Sequence, residues 1–141
     1  MSVVMVTETF PGRFESLAVI RKFVFQAASD AGFDEKDIYA VELAVDEACA
    51  NIIEHAYGGE DVGEIECTCN DLIDGLEIII KDDGEPFDPS TVVPPDFSVE
   101  LEDVKPRGAG LFLIRNMMDD VDFVFSKKDG NILRMVKRKK E

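Results

Sequence analysis

Basic side chains are scarce in this chain. Fifteen Lys and Arg stand against 30 Asp and Glu, a formal net charge of −15. Nucleic acid attracts clustered positive charge, so the sequence offers it a poor footprint. The one basic cluster, "KRKK" at 137–140, reads as a solvated tail. An acidic surface repels phosphate too, so a phosphate ligand must be held locally by backbone amides, a metal ion or a few basic groups. Cysteine is sparse: Cys49, Cys67 and Cys69 are an odd count without framework spacing, which argues against a secreted disulfide scaffold. Cys67 and Cys69 alternate on a predicted strand and no further metal ligands stand near at fitting spacing, so all three read as structural thiols. No apolar run reaches the ~18 residues that cross a bilayer. The opening "MSVVMVTETF" lacks a basic start followed by a long apolar stretch, so no signal peptide is expected and the expected compartment is the cytoplasm.

What is present suits a folded domain. Residues are 45% hydrophobic and 32% charged, a balance that excludes a disordered chain. The length of 141 residues fits one domain over 1–141. "SVVMVTETF" reads as a strand that Pro11-Gly12 breaks. A helix follows over 13–31, with Phe14, Leu17, Ile20, Val24 and Ala27 at helical spacing and Gly32 ending it. A second helix starts near Asp34, buries Ile38, Val41, Val45, Ala48 and Ile52, and closes at Gly58-Gly59. "GEIECTCN" and "GLEIIIKD" read as strands about a turn near Asp74-Gly75. A proline-rich stretch over 85–107 reads as a lid, because so long a segment without periodicity is rarely idle. "GAGLFLIRNMMDD" reads as a helix opening directly after glycines, and a hairpin about Asp129-Gly130 closes the chain. The order β-α-α-β-β-lid-α-β-β predicts an α+β two-layer sandwich, one mixed sheet with about three helices on one face.

Three constellations carry chemistry. Glu47 and Asn51 stand four residues apart, one above the other at the edge of the second helix's apolar stripe, with His55 a further turn along. A carboxylate can take a proton, and an amide oxygen can bind a hard cation such as Mg²⁺. Next, an apolar strand runs straight into Asp82-Asp83-Gly84. An aspartate there can accept from an exocyclic amine such as adenine's, and Gly84 lets a flat ring approach the backbone. Last, "KPRGAGLFLI" sets Gly108 and Gly110 ahead of a helix, whose free amides and dipole make a phosphate cradle, with Lys105 and Arg107 nearby. Two competing nucleotide motifs are absent. No G-x-x-x-x-G-K-[ST] occurs, and Leu113 stands where a dinucleotide fingerprint wants glycine or alanine.

The order E-x-x-x-N, D-x-G, lid, G-x-G resembles the histidine-kinase-like ATPase superfamily (the Bergerat fold). "DEACANIIEHAY" and "PRGAGLFLIRNMMDDVDF" are most similar to its bacterial anti-sigma-factor serine/threonine kinases. The resemblance covers nearly the whole chain. It implies ATP and Mg²⁺ as cofactors, Glu47 as general base and Asn51 as the Mg²⁺ ligand. Asp82 would bind the adenine amine with Gly84 beside the ring, and His55 would brace the site. Gly108, Ala109 and Gly110, with Leu111, would line the phosphates, and Lys105 and Arg107 would reach the terminal one. The acceptor would be a serine or threonine on an anti-sigma-factor antagonist, a sigma factor would be the other partner, and the chain would be a homodimer without nucleic acid or membrane. A binding module that holds ATP without transferring phosphate is the alternative, and retained Glu47 speaks against it. The chain departs from the family pattern twice: Pro86 stands where a second glycine is common, and Asn131-Ile132-Leu133 replaces a last-strand threonine. Pro86 stiffens the expected first hinge of the lid, and Asn131 is the candidate stand-in for the threonine.

Overall fold

A computed structural model of the chain describes residues 5–86 and 106–139, with the side chains of 106–109 left aside. Its elements run β1 (Met5–Pro11), α1 (Ser16–Asp30), α2 (Glu35–Asn51), a π-helical turn (Ile52–Ala56), β2 (Glu64–Leu72), β3 (Gly75–Asp82), α3 (Pro106–Met117), β4 (Asp120–Ser126) and β5 (Gly130–Arg138). The five strands form one sheet in the order β1-β2-β3-β5-β4. Every pairing in it is antiparallel, so the expected mixed sheet is corrected. The reason is topological. The stretch from β3 through α3 to β4 returns the chain in β3's direction, but β5 folds back into the gap between them. The parallel pair that the crossover would have made is thereby split.

Strand alternation decides which face is covered. Ile65, Cys67 and Cys69 of β2, Leu76, Ile78 and Ile80 of β3, and Leu133 and Met135 of β5 are buried, and the residues between them on each strand are half-exposed. These residues join one core with Ile20 and Val24 of α1, Val41, Val45 and Ala48 of α2, and Leu111 and Ile114 of α3. The three helices therefore lie on one face, as expected. The opposite face is polar, with Thr7 Oγ1 and Thr68 Oγ1 2.8 Å apart and Arg134 bonded to Glu77. All three cysteines are free and buried, and burial pushes the Cys49 thiol well up, which fits structural thiols.

The helix boundaries follow their caps. Asp34 caps α2 by accepting from the Asp37 N–H at 2.9 Å. Gly32, at φ +91°, closes α1 in a left-handed conformation that costs glycine little. The first helix begins at Ser16 and not at 13, because Arg13 and Phe14 are held by Asp61 and Glu60 in the facing loop. Phe14 is accordingly 41% exposed, and Ala28 takes the buried place expected of Ala27.

Two further expectations change. Lys137 and Arg138 belong to β5, not to a solvated tail, and Lys137 is only 8% exposed. Its Nζ donates to Met117 O at 2.8 Å and lies 3.9 Å from Asp37 Oδ1. Helix α3 starts at Pro106, so Gly108 and Gly110 lie inside it and not ahead of it. Proline suits a first helical position, since its φ is already helical and the N–H it lacks would have no partner. The lid expected over 85–107 lies outside the described residues, apart from Glu85, Pro86 and the start of α3. No helix among the described residues is long and apolar enough to cross a membrane.

Candidate functional site

The site is assembled at one end of the sheet, where α2 ends, α3 begins and β3 meets β5. Glu47 and Asn51 share a face of α2 and look toward α3. Gly110 brings α3 against them. A Cβ at that position would lie 2.5 Å from Asn51 Nδ2 and 2.9 Å from Glu47 Oε2, closer than side-chain carbons pack. Glycine here leaves room for the ends of these two side chains and serves no turn. Burial pushes the Glu47 carboxyl above its usual range, and the charges of Glu54 and Asp46 push the same way.

The second half comes from the sheet. Asp82 ends the inward-facing stripe of β3, and its register partner Asn131 begins that of β5. Both are buried, at 5% and 1% exposure, in positions where the pattern of both strands is apolar. Asp82 Oδ1 accepts from the Gly84 N–H and from Asn131 Nδ2, each at 2.9 Å. Asn131 Nδ2 also reaches the carbonyls of Gly84 at 3.2 Å and Glu85 at 3.0 Å. Gly84 packs on the end of the π-helical turn, where a Cβ would collide with the Ala56 carbonyl. The Glu85 N–H donates to that carbonyl at 2.7 Å. A small cavity of about 30 Å³ joins the two halves. Asn51, Asp82 and Leu111 line it, with Ile52, Phe123 and Leu133 closing its apolar sides.

The structure thus brings together Glu47, Asn51, Asp82, Gly84, Gly110 and Leu111. Gly108 and Ala109 fall in the first turn of α3, where backbone N–H groups have no helical partner. The Arg107 backbone shares that turn, and Lys105 lies outside the described residues. His55 is a different case. The π-helical turn breaks the α-helical phase beyond Asn51, and His55 is not among the residues lining the cavity. Its Nε2 is buried without a hydrogen bond, 3.7 Å from Glu54 Oε2. One supporting residue escaped the sequence reading. The Tyr57 hydroxyl donates to Glu64 O at 2.5 Å and accepts from the Asp83 N–H at 3.0 Å, bracing the turn after β3. Its signal was the aromatic immediately before Gly58-Gly59, inside the motif already singled out.

An antiparallel sheet under three helices is the fold of a histidine kinase-like ATPase domain. That family's model matches residues 10–137. The serine-protein kinase RsbW of Bacillus cereus (strain AH187) is 40% identical over 118 residues, which is 81% of this chain and 73% of the relative. The serine-protein kinase RsbW of Bacillus thuringiensis subsp. konkukian (strain 97-27) is 39% identical over the same shares. The chain belongs to this family of serine-protein kinases, within the histidine kinase-like ATPase class. The fold also matches the crystal structure of the RsbU and RsbW domains of a Mycobacterium tuberculosis protein, with a TM-score of 0.63 at 14% identity. That match covers 96% of this chain, which spans 32% of the solved one.

Proposed function

We propose that this chain is an anti-sigma-factor serine/threonine kinase: it binds Mg-ATP, phosphorylates an antagonist protein and sequesters a sigma factor in a partner switch. The observation that carries the reading is the contact of Gly110 with Glu47 and Asn51. It sets the phosphate helix directly on the candidate base and metal ligand. In this reading Asp82 accepts the amine of adenine, and Gly84 lies beside the ring. The N–H groups of the first turn of α3, at Gly108 and Ala109, receive phosphate oxygens, with Gly110 and Leu111 continuing that wall. Arg107 and Lys105 serve the terminal phosphate.

Mg²⁺ fits the donor set. It takes one or two protein oxygens and fills its shell with water and phosphate. Asn51 and Glu47 bring a side-chain amide and a carboxylate to one place, and the Cβ that would crowd their ends is missing at Gly110. Once bound, the ion neutralises charge on the transferring phosphoryl group. Glu47 accepts the proton of the attacking serine or threonine hydroxyl. Its raised carboxyl supports that role, because a base works best with a pKa drawn toward the working pH. A module that merely held ATP would have no use for such a group. The chain acts in the cytoplasm as a homodimer in this reading, and His55 braces the site through its neighbours on the π-helical turn.

The test is phosphate transfer from γ-labelled ATP in a lysate of the native cell, with Glu47→Ala in parallel. A small protein labelled on serine or threonine by the wild type alone supports the kinase and identifies its substrate. Mg-ATP binding without any transfer would leave the nucleotide-gated binding module.

A further inference from the structure

Asn131 spends its whole donor capacity on one side. Its Nδ2 faces three oxygens: Asp82 Oδ1, the Gly84 carbonyl and the Glu85 carbonyl. Turning the amide over would aim its oxygen at those three oxygens, so the surroundings fix its orientation. Its Oδ1 points away from them, buried, and meets no hydrogen-bond donor among the described residues. An asparagine kept in a core position with its acceptor unused is kept for its donor. The Gly84 N–H adds a second donor to the same Asp82 oxygen. The carboxylate and the two residues beyond Asp83 are thereby one hydrogen-bonded unit, held from β5.

We propose that Asn131 is the positioning residue that determines which base the pocket takes. With two N–H groups directed at it, Asp82 is held as an acceptor and suits a base presenting an exocyclic amine. A base presenting a carbonyl at that place is rejected, because it would need a donor. The proposal rests on the reading of Asp82 as the contact to the base.

The experiment compares dissociation constants for ATP and ITP, whose hypoxanthine carries a carbonyl where adenine carries the amine, between about pH 6 and 8. Asn131→Asp sets a second carboxyl beside Asp82, and two such groups share a proton. The preference for ATP over ITP should fall about tenfold, roughly the worth of one hydrogen bond, and should become weaker toward the acid end. Asn131→Ser is too short to span the three oxygens. It should raise KM for ATP by about tenfold while kcat moves far less, with the preference still independent of pH. Wild-type preference in the first variant together with wild-type KM in the second overturns the proposal. If Asn131→Asp does not fold, an unchanged KM in Asn131→Ser overturns it alone. Asp82→Asn separates the two readings. Unchanged ATP binding there removes the base contact itself and this proposal with it. Weakened binding there, with wild-type behaviour in both Asn131 variants, removes this proposal alone.

Discussion

Strand β5 carries an inward-facing polar residue toward each end, Asn131 opposite Asp82 of β3 and Lys137 opposite Leu76, and the two ends solve the problem differently. At the far end Lys137 is satisfied by protein alone: Met117 O, which closes α3, and Asp37, in the first turn of α2. A cation at a helix C-terminus and an anion at a helix N-terminus also suit both dipoles. Around this pair the Arg138 N–H donates to Asp119 and its guanidinium reaches Asp74 and Asp120. At the near end the satisfaction is incomplete. Asn131 Oδ1 and His55 Nε2 are buried without a hydrogen bond among the described residues, and Glu47 carries a disfavoured charge. One end is a clasp. The other leaves polar groups unsatisfied.

The largest effect expected is on the chemical step. Glu47→Ala should lower phosphate transfer roughly 10²–10⁴-fold while Mg-ATP binding, followed by calorimetry, stays nearly unchanged. Wild-type turnover would move Glu47 to the structural side of the comparison. Asp82→Asn should weaken nucleotide binding by about 1.5–3 kcal/mol, the range for a hydrogen bond to a charged group. Lys137→Met breaks the clasp and should cost about 1–3 kcal/mol of stability in urea titration, with nucleotide affinity untouched. A large loss of affinity at constant stability would erase the distinction between the two ends. The smallest effect concerns pH. Burial holds the Glu47 carboxyl above its ordinary range, so the folded chain binds that proton more tightly than the unfolded one. The stability it adds is present below the ordinary carboxylate pKa and is lost as pH rises through the raised one. Glu47→Gln should therefore melt higher than wild type at neutral pH, by no more than about 2 °C, and alike near pH 3. Equal melting at neutral pH would mean that the charge is not disfavoured there.

Much of this was legible in sequence where the signal was local. The turn at Asp74-Gly75 and the apolar run of "GLEIIIKD" marked β3 from Gly75 to Asp82 to the residue, and Asp34 announced the start of α2. Spacing alone put Glu47 and Asn51 on one face. What escaped depended on partners distant in the chain. Gly108 and Gly110 read as standing ahead of the helix, because the side chains that come closest to position 110 belong to α2, some sixty residues earlier. Lys137 read as solvated because its charge was visible and its two partners, Asp37 and the Met117 carbonyl, were not. The sheet read as mixed because no local pattern shows β5 slipping between β3 and β4. Asn131 was noticed for what it replaced, while its three acceptors depend on the β3–β5 register.

That register has a consequence for how the molecule comes into being. The β2–β3 and β4–β5 hairpins are local and can form early, each about a short turn. The β3–β5 ladder joins them across a long intervening segment, and Asp82 and Asn131 are 49 residues apart. Closing so long a loop carries an entropic cost before its contacts return anything, which makes this zippering the late event of folding. Asp82 and Asn131 face each other across that seam. The chain through β3 supplies Asn51, Ile52 and Asp82 to the cavity wall and the chain from α3 onward Leu111, Phe123 and Leu133, so the cavity is complete only when β5 has been made and has docked. A mutation that merely slows the docking of β5 would leave the finished kinase intact and delay its first moment of activity.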